Sequence, residues 1–450
     1  MVRHADARRT KQIDYHAVAD RLRAEAKSTY LRSFATVSGV PWIKLTPNLL
    51  HNWLATEFAT EFETFTPIGD KATKRAKREP ESIFRSFSGG VKSNRDEVVY
   101  DWQKDELRDR VSKFVRDYNG EVDRYKREGA LHKIDDFVSY ASIKWSRDLK
   151  LDLERGHYAK FSASNIRESI FRPFTKKFLY FDGILNEEVY SVPRFFPSSK
   201  ETRENIAICC TIEAQIDFSA LIVDTTPCLH VGGRQGQCFP FHVYDVDGSN
   251  RRENITDWAR DQFRTHYKDK KISKWDIFQY VYGLLHHPGY REKFADNLKR
   301  ELPRIPFAPD FGAFAKAGKK LADLHLNYES AREFPLKEIV TPGTPRSPRV
   351  ESKLKLTKDK TALMVNESLT LSGIPSETFE YRLGNRSALD WVIDQYQVYT
   401  DKRTGITSDP NAWGDEHGNP EYIVELVARV ITVSLETLKI VKELPREYAN

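Results

Sequence analysis

The chain has few cysteines and no long hydrophobic run, which excludes two broad classes of protein. Its four cysteines, two of them adjacent at Cys209 and Cys210, do not resemble the disulfide framework of a secreted protein. Its longest apolar runs, such as the one that starts at Tyr422, contain charged residues and are too short to span a bilayer. The basic start of the chain is not followed by an apolar stretch, so we expect no signal peptide. We therefore expect a cytoplasmic protein with no membrane partner.

Sequence motifs of common enzyme classes are also missing. The glycines of 87–94 lack the spacing of a phosphate-binding loop, and neither a G-x-G-x-x-G turn nor a G-x-S-x-G elbow occurs. An amino-methyltransferase needs an Asn/Asp-Pro-Pro-Tyr/Phe loop, whereas 409–413 contains one proline. Asp224 ends an apolar segment, but no acidic-x-Lys pair of a nuclease follows it on a convincing partner strand. We expect no catalytic residue and no resident cofactor in this chain.

Basic and aromatic residues are abundant instead. Lys and Arg number 71 against 65 Asp and Glu, the net charge is +6, and aromatic residues make up 12%. Basic clusters occur in 70–80 and in 172–178, and many aromatic residues lie beside basic ones. This mixture is typical of a surface that grips phosphates and stacks on bases, although solvated helix faces and core aromatics give the same pattern.

The order of the hydrophobic patterns predicts an α+β fold. Apolar residues recur at helical spacing in 13–31 and 48–65, and 94–129 is typical of a long amphipathic helix. After about residue 162, aromatic residues, prolines and turn residues favour short strands, including two apolar runs within 204–227. Helices return in 255–267 and 273–302, and two more close the chain at about 388–399 and 422–443. We expect a helical N-terminal segment followed by a mixed domain of short strands and helices.

One stretch, 227–245, combines two cysteines and two histidines with a glycine-rich gap. Cys228 and His230 are one residue apart, and Cys238 and His242 follow. Thiolate and imidazole are zinc ligands, but Cys-x-His is too tight for an ordinary zinc knuckle. The stretch is a metal centre, a catalytic thiol or neither, and no separate base or oxyanion site can be argued for a catalytic thiol.

Two further pairs invite a functional interpretation. His286 and His287 stand at a helix end before a proline, where histidines usually cap the helix or pack. Arg95 and Asp96 are adjacent, and we expect a structural ion pair in preference to a DNA contact.

Seven long segments, in one order, resemble type ISP restriction–modification enzymes, which are single-chain DNA translocases that methylate and cleave DNA. The resemblance covers nearly the whole chain and concerns the end of the methyltransferase portion and the specificity region that follows it. The segments are Thr46–Lys71, Ile83–Trp102, Phe171–Asp182, Gln237–Asp245, Trp275–Glu329, Leu383–Trp413 and Val427–Pro445.

The resemblance implies a division of the chain. Residues 1–82 would be a helical segment at the end of the methyltransferase portion, and 83–165 a long-helix connector. Residues 166–340 would form the target-recognition core, and 341–450 the C-terminal part of the specificity region.

The resemblance also implies a function. The chain would be a sequence-specific recognition subunit or fragment that binds double-stranded DNA and presents the target adenine to a methyltransferase/translocase module. It would not be an enzyme on its own, although its system has adenine-specific methyltransferase and ATP-dependent endonuclease activities and serves in phage defence. S-adenosylmethionine, ATP and Mg would belong to modules on a separate chain, or to modules that have been lost.

Recognition of duplex DNA needs basic residues on phosphates and Arg, Lys, Asn or Gln on base edges. The resemblance favours a strand–loop–strand structure for 227–245, with Cys228 and Cys238 as small buried residues in preference to metal ligands. Its flexible glycine-rich tip suits base reading, although a plain solvent loop explains the same residues. The candidate base readers are Arg234, Gln235 and Gln237, and the candidate phosphate contacts are Lys176, Lys177, Lys74, Arg75 and Lys77.

Two rival functions remain open. The chain could be a methyltransferase subunit that is active only with a partner chain. It could also be an interaction protein that docks a partner through its helical N-terminal segment and has no DNA activity.

Overall fold

The computed structural model describes residues 13–18, 22–46, 59–72, 79–128, 133–141, 143–197, 205–402 and 404–449. They divide into two compact units, one that ends at Glu63 and one that starts at Thr64. The expected finer division at residues 82, 165 and 340 stays a prediction.

The first unit is a small strand–helix–strand arrangement. Strand β1 (Ile13–Tyr15) pairs antiparallel with β2 (Ile43–Leu45), and helix α1 (Ala24–Arg32) lies between them in the chain. The prediction of a helix from residue 13 was wrong for Ile13–Tyr15, because these residues pair with a strand that lies far along the chain. Residues 13–18 and 22–46 bury no side chain. The second expected helix is described only as α2 (Ala59–Thr64), since 47–58 lie outside the described residues.

The second unit opens with helices around one long helix. Its 25-residue helix α4 buries one apolar face, with residues such as Leu107, Val111, Phe114 and Val122 at helical spacing. This confirms the expected long amphipathic helix. The elements of this part are β3 (Thr66–Pro67), α3 (Asp96–Val99), β4 (Tyr100–Asp101), α4 (Lys104–Glu128), α5 (Ile134–Phe137) and α6 (Arg147–Glu154).

Two small sheets follow. The first has the order β4-β6-β5-β9, in which β5 and β6 form an antiparallel hairpin and β9 runs parallel to β5. The second has the order β10-β7-β8, is antiparallel throughout and is almost completely buried. Its strands β7 and β8 are the two predicted apolar runs. The elements are β5 (Ile166–Arg172), β6 (Thr175–Tyr180), α7 (Val192–Phe195), β7 (Ala207–Thr211), β8 (Ala220–Val223), β9 (Thr226–Pro227) and β10 (Gly236–Pro240).

The central helices pack through glycine. A methyl group on Gly318 would lie 1.8 Å from the carbonyl oxygen of Gln279, so helices α9 and α12 touch backbone to backbone. Sheet pairings join β13 to β3 and β11 to β12. The elements are β11 (His242–Val243), β12 (Arg252–Glu253), α8 (Asp257–Tyr267), α9 (Lys274–Leu284), α10 (Pro288–Lys293), α11 (Ala295–Leu298), β13 (Arg304–Ile305) and α12 (Phe311–Leu326).

The C-terminal part adds a four-stranded sheet, two hairpins and the last helices. The sheet order is β14-β17-β16-β15, and the hairpins are β18–β19 and β20–β21. The elements are β14 (Lys337–Val340), β15 (Lys355–Leu356), β16 (Ala362–Met364), β17 (Leu369–Ser372), β18 (Arg382–Leu383), β19 (Arg386–Ser387), α13 (Ala388–Gln395), β20 (Tyr399–Thr400), β21 (Thr407–Ser408), α14 (Asn411–Glu416) and α15 (Tyr422–Lys442).

One hydrophobic core runs from Val91 to Val433 and joins residues of both four-stranded sheets to α4, α13 and α15. The fold is a mixture of helices and small sheets, which confirms the predicted α+β class. Among the described residues, no helix combines the length and the apolar character that crossing a membrane requires.

Candidate nucleic-acid interface

The glycine-rich loop 228–235 connects β9 to β10 and is held at its base by backbone hydrogen bonds. The amide of Cys228 donates to Ile170 O at 3.0 Å, and the amide of Leu229 donates to Val91 O at 2.8 Å. The amide of Gly236 closes the loop by donating to Leu229 O at 3.1 Å. The loop therefore projects from a buried, hydrogen-bonded stem.

Two glycines let the loop approach its neighbours closely. A methyl group on Gly232 would lie 2.1 Å from Oγ1 of Thr211, a hydroxyl that donates to Gly232 O at 3.0 Å. Gly233 has φ +98°, and a methyl group there would lie 2.6 Å from Cζ2 of Trp391. Glycine is required at both positions, and its small size fixes the loop against strand β7 and helix α13.

The tip of the loop and the first residues of β10 carry the three predicted base readers. Arg234 and Gln235 are exposed, and Gln237 is half-buried at the start of β10. The guanidinium of Arg234 is 3.9 Å from a carboxylate oxygen of Glu213 and is 55% exposed, so this contact is a loose surface pair. The side-chain amides of the two glutamines make no hydrogen bond to any described residue. The guanidinium of Arg234 and the amide of Gln235 are therefore exposed on an anchored loop, with the half-buried Gln237 beside them on β10.

The hairpin β18–β19 lies beside this tip and was missed by the sequence reasoning. Its turn contains Gly384, where a methyl group would lie 3.5 Å from the backbone oxygen of Gly232. The side chain of Asn385 accepts a hydrogen bond from the amide of Asp217 at 3.2 Å. The Gly-Asn pair at the turn was a signal for this hairpin, but its contact with residues about 150 positions away is tertiary.

Two arginines of the hairpin extend the basic character of the tip. The guanidinium of Arg386 lies 4.9 Å from the ring centre of Trp391 and pairs with Asp394 at 2.5 Å. Arg382 is exposed and donates to the backbone oxygen of Asn385. We call this region the loop–hairpin surface and define it by Arg234, Gln235, Gln237, Arg382, Asn385 and Arg386.

Lys176 and Lys177, two predicted phosphate contacts, lie on β6 and point into internal contacts. Lys176 Nζ is 2.5 Å from Oε2 of Glu329. Burial lowers the pKa of Lys176, but the nearby carboxylates, chiefly that of Glu329 and also those of Asp224 and Glu168, raise it, and the net direction is upward. Lys177 is 8% exposed, and its ammonium lies 4.3 Å from the ring centre of Trp102 and 4.7 Å from that of Phe171. Burial lowers the pKa of Lys177 to about 8. Contact of these two lysines with phosphate stays a prediction, and their internal contacts do not favour it.

The other three predicted phosphate contacts, Lys74, Arg75 and Lys77, lie outside the described residues. Their role also stays a prediction.

Arg95 and Asp96 form ion pairs, but not with each other. The guanidinium of Arg95 is completely buried, donates to Leu185 O and to the Ser146 hydroxyl, and lies 3.9 Å from Glu187. Asp96 pairs with Arg172 at 3.5 Å. The expected structural role is confirmed for both residues, and the expected partner was wrong, because the side chains of neighbouring residues at a helix start point in different directions.

The two cysteines and two histidines of 227–245 do not come together as one site. Cys238 Sγ is 3.0 Å from Sγ of Cys209 on the neighbouring strand, whereas Cys228 Sγ accepts a hydrogen bond from Arg172 at 3.2 Å. Both cysteines are buried, as the favoured interpretation predicted, and burial raises the pKa of the Cys228 thiol. The described residues contain no group of three or more metal-binding side chains.

His287 has the expected capping role, because its Nδ1 accepts a hydrogen bond from the amide of Tyr290 at 3.2 Å. His286 is buried, and its Nδ1 lies 2.8 Å from the backbone oxygen of Tyr282. The packing interpretation of this pair is confirmed for both side chains.

An α+β scaffold that presents polar side chains from two adjoining loops defines a recognition module. Residues 82–426 match the model of one such family, the Type ISP C-terminal specificity domain. The chain belongs to this family. A search of curated proteins gave no match.

Three solved structures of DNA complexes, two of them of Type ISP enzymes, have the same fold. A nuclease-deletion mutant of the Type ISP restriction–modification enzyme LlaGI, in complex with a DNA substrate mimic, superposes with a TM-score of 0.83 at 33% identity. A DrdV–DNA complex gives 0.82 at 36% identity, and the ATP-dependent Type ISP enzyme LlaBIII bound to DNA gives 0.81 at 28%. They cover 98%, 97% and 98% of this chain, which spans only 33%, 43% and 28% of their lengths.

Proposed function

We propose that this chain is the DNA target-recognition part of a type ISP restriction–modification system. The observation that carries the proposal is the match of 82–426 to a specificity domain. The DNA-bound state of the solved relatives supports duplex DNA as the ligand.

We propose that the loop–hairpin surface reads base edges. The exposed fork of Arg234 suits the two acceptors of guanine, and the amides of Gln235 and Gln237 suit adenine. The anchored stem of the loop holds these groups in place before DNA arrives, which lowers the entropy cost of binding.

Phosphate contacts would come from neighbouring basic residues. Arg382 and Arg386 adjoin the tip, and Lys74, Arg75 and Lys77 remain candidates in the basic segment before residue 79. Because Lys176 is engaged with Glu329 and Lys177 with aromatic rings, we propose that both side chains make internal contacts instead of phosphate contacts.

We also propose that the target adenine is methylated by a module outside these 450 residues and that the chain has no catalytic activity of its own. S-adenosylmethionine, ATP and Mg would then bind to other modules of the system. We propose a cytoplasmic location, because such a system meets DNA in the cytoplasm.

Fluorescence anisotropy with randomised duplex libraries tests the recognition function. We expect selection of one sequence class and an affinity that falls steeply with salt, since basic contacts release counterions. Arg234→Ala should reduce the selection, whereas Arg332→Ala, at an exposed arginine distant in sequence from the surface, should not. An affinity that is equal for all duplex sequences and does not change with salt concentration would contradict the proposal.

A domain exchange tests the adenine-presentation part. The chain alone, with labelled S-adenosylmethionine and duplex DNA, should transfer no methyl group. Fused in place of the specificity domain of LlaGI, it should direct adenine methylation to the sequence selected in the binding experiment. Methylation at the LlaGI sequence would contradict this assignment.

A further inference from the structure

The four-stranded sheet β14-β17-β16-β15 buries one of its two faces. Leu363, Leu369 and Leu371, on the two central strands, are buried and belong to the hydrophobic core. The residues that alternate with them point away from the core, because successive side chains of a strand lie on opposite faces of the sheet. We call this second face the outer sheet face and define it by Lys337, Ile339, Lys355, Met364, Thr370 and Ser372.

One row of this face crosses all four strands. The register pairs Lys355 with Met364, and Met364 with Thr370. Thr370 is in turn paired with Ile339 on the edge strand β14. Met364 is 43% exposed and Ile339 is 49% exposed, and Lys355 is exposed as well. The row is therefore accessible from one edge strand to the other.

Lysines stand on both edge strands of the outer sheet face. Lys337 on β14 and Lys355 on β15 are exposed, and neither forms an ion pair with a described residue. Three inter-strand spacings separate these two strands by about 14 Å. Lys353, which precedes Lys355 by two residues, is also exposed and forms no ion pair with a described residue. Positive charge is thus spread across the face and has no counter-charge within the described part of the chain.

The arginines on the core side of the same sheet are paired with carboxylates. Glu338 lies on the core side of β14, and Arg346 is 2.7 Å from its carboxylate and from that of Glu421. Arg349 is 2.9 Å from Asp415. The registered positions of the outer sheet face, by contrast, contain neither Asp nor Glu. The cations of the core side are neutralised within the chain, whereas those of the outer sheet face are available to an external anion.

The side chains of the outer sheet face match the backbone of a nucleic acid. Lysines and hydroxyl groups are usual contacts to phosphate oxygens, and the hydroxyl of Thr370 makes no hydrogen bond to a described residue. Met364 and Ile339 supply carbon atoms that can lie against sugars. The face has no aromatic ring and no Arg, Asn or Gln, so it offers little for stacking on bases or for reading their edges.

Helix α13 links this region to the loop–hairpin surface. It begins directly after β19 of the hairpin and ends at Gln395, and Gln397 then forms a β-bridge with Lys353. A helix of 8 residues is about 12 Å long. This length corresponds to about four base pairs of duplex DNA. A duplex held at the loop–hairpin surface therefore has flanking phosphates within reach of the sheet.

We propose that the outer sheet face binds phosphates of duplex DNA beside the recognised bases. The inference rests on the DNA-recognition function proposed above and adds a second contact surface to it. Lys337, Lys353 and Lys355 each neutralise a phosphate, and Thr370 donates to a phosphate oxygen. These contacts contribute affinity and orientation but no sequence preference, since they do not touch bases.

Anisotropy titrations with two duplexes of the preferred sequence test the proposal. The short duplex ends with the selected sequence and is closed by an uncharged ethylene-glycol linker, and the long one extends about one helical turn further on each side. A triple variant carries Lys337→Gln, Lys353→Gln and Lys355→Gln. It should bind the long duplex about tenfold more weakly, with a slope of log affinity against log salt that is smaller by about 2–3. Its affinity for the short duplex should be unchanged.

A second triple variant controls for net charge. Lys270→Gln, Lys316→Gln and Lys319→Gln remove the same charge from other exposed lysines and should change the affinity for neither duplex. Equal losses in the two triple variants would reduce the effect to net charge and overturn the proposal. Unchanged binding of the long duplex by the first variant, which would leave the face to a protein partner, would also overturn it. A loss of the same size on the short duplex would overturn the flanking position.

Met364 provides a test that keeps every lysine. Met364→Glu places a carboxylate in the middle of the face and should weaken binding of the long duplex about tenfold, because it repels phosphates. Met364→Gln has the same shape without the charge and should leave the affinity unchanged. Met364 is 43% exposed, so both variants should fold, which thermal denaturation checks. Equal affinities of the two variants would contradict a phosphate at this position.

Sequence selection separates this proposal from the recognition function. The first triple variant should keep the ratio of affinities between the preferred duplex and unrelated long duplexes. A chain that selects its sequence but does not respond to the lysine substitutions would refute only the role of the outer sheet face. A chain that binds no duplex would refute both proposals.

Discussion

Trp391 closes the space around Gly233: the indole lies where a side chain at residue 233 would have to stand, 2.6 Å from the position of a Cβ. The indole N–H donates to Leu383 O at 3.0 Å, so the ring is itself fixed by the hairpin β18–β19. Two segments that are distant in sequence thereby hold the glycine-rich loop in one position.

This contact predicts the effect of Gly233→Ala. The φ of +98° is unfavourable for alanine, and the methyl group would also clash with Trp391. We expect a loss of about 2–4 kcal/mol of unfolding free energy, measured by urea denaturation. Gly343→Ala is the matched control, because Gly343 also has positive φ (+83°) but has open space around it. It should cost only about 1 kcal/mol. Equal losses would show that Trp391 does not constrain the loop.

Arg234→Ala should weaken binding of the preferred duplex about tenfold and remove about 1–3 kcal/mol of discrimination at one base pair. Binding of unrelated duplexes should change little, because phosphate contacts carry non-specific affinity. Anisotropy titrations with the preferred duplex and with single-base variants measure both quantities. A uniform loss on all sequences would instead identify Arg234 as a phosphate contact.

Lys177→Met should stabilise the protein at pH 7 by about 2 kcal/mol, because burial lowers the pKa of this lysine to about 8. The unfolded chain has a lysine pKa of about 10.4, so below pH 8 both states are charged and the cost of burying the charge is fully present. Between pH 8 and about 10.4 the folded lysine is neutral, and that cost disappears. The advantage of the variant in urea denaturation should therefore shrink from pH 7 to pH 10. A constant advantage would contradict the lowered pKa.

Lys176→Met should act in the opposite direction, because Glu329 raises the pKa of this lysine in spite of burial. The ion pair contributes its stability below the pKa of the unfolded chain, about 10.4, and loses it only as pH rises through the higher folded value. We expect a loss of about 1 kcal/mol that is the same at pH 7 and pH 9. A gain in stability would show that the pair with Glu329 does not form.

Purified protein should contain no stoichiometric zinc by mass spectrometry of the metal content. Cys228 contacts Arg172 and Cys238 contacts Cys209, so the thiols of 227–245 do not converge on one point. One zinc per chain that is lost in Cys228→Ser would contradict this arrangement.

Much of the secondary structure follows from local patterns. Helix α4 and strands β7 and β8 were predictable, because hydrophobic residues repeat with the period of the element that they form. The glycine-rich loop was also visible as a flexible tip with Arg234 and Gln235. The strand at Ile13–Tyr15 was not, since its structure depends on pairing with Ile43–Leu45.

The sequence by itself determined the α+β class, because the periodicity of the hydrophobic residues decides which side chains leave water. Its long ordered segments also carried the family resemblance, which implied that Cys228 and Cys238 are buried. Only the tertiary structure decided which charges are available. It directs Lys177 between two aromatic rings and brings hairpin β18–β19 beside Gly233. Each of these outcomes depends on contacts between residues distant in sequence, and no local pattern encodes such contacts.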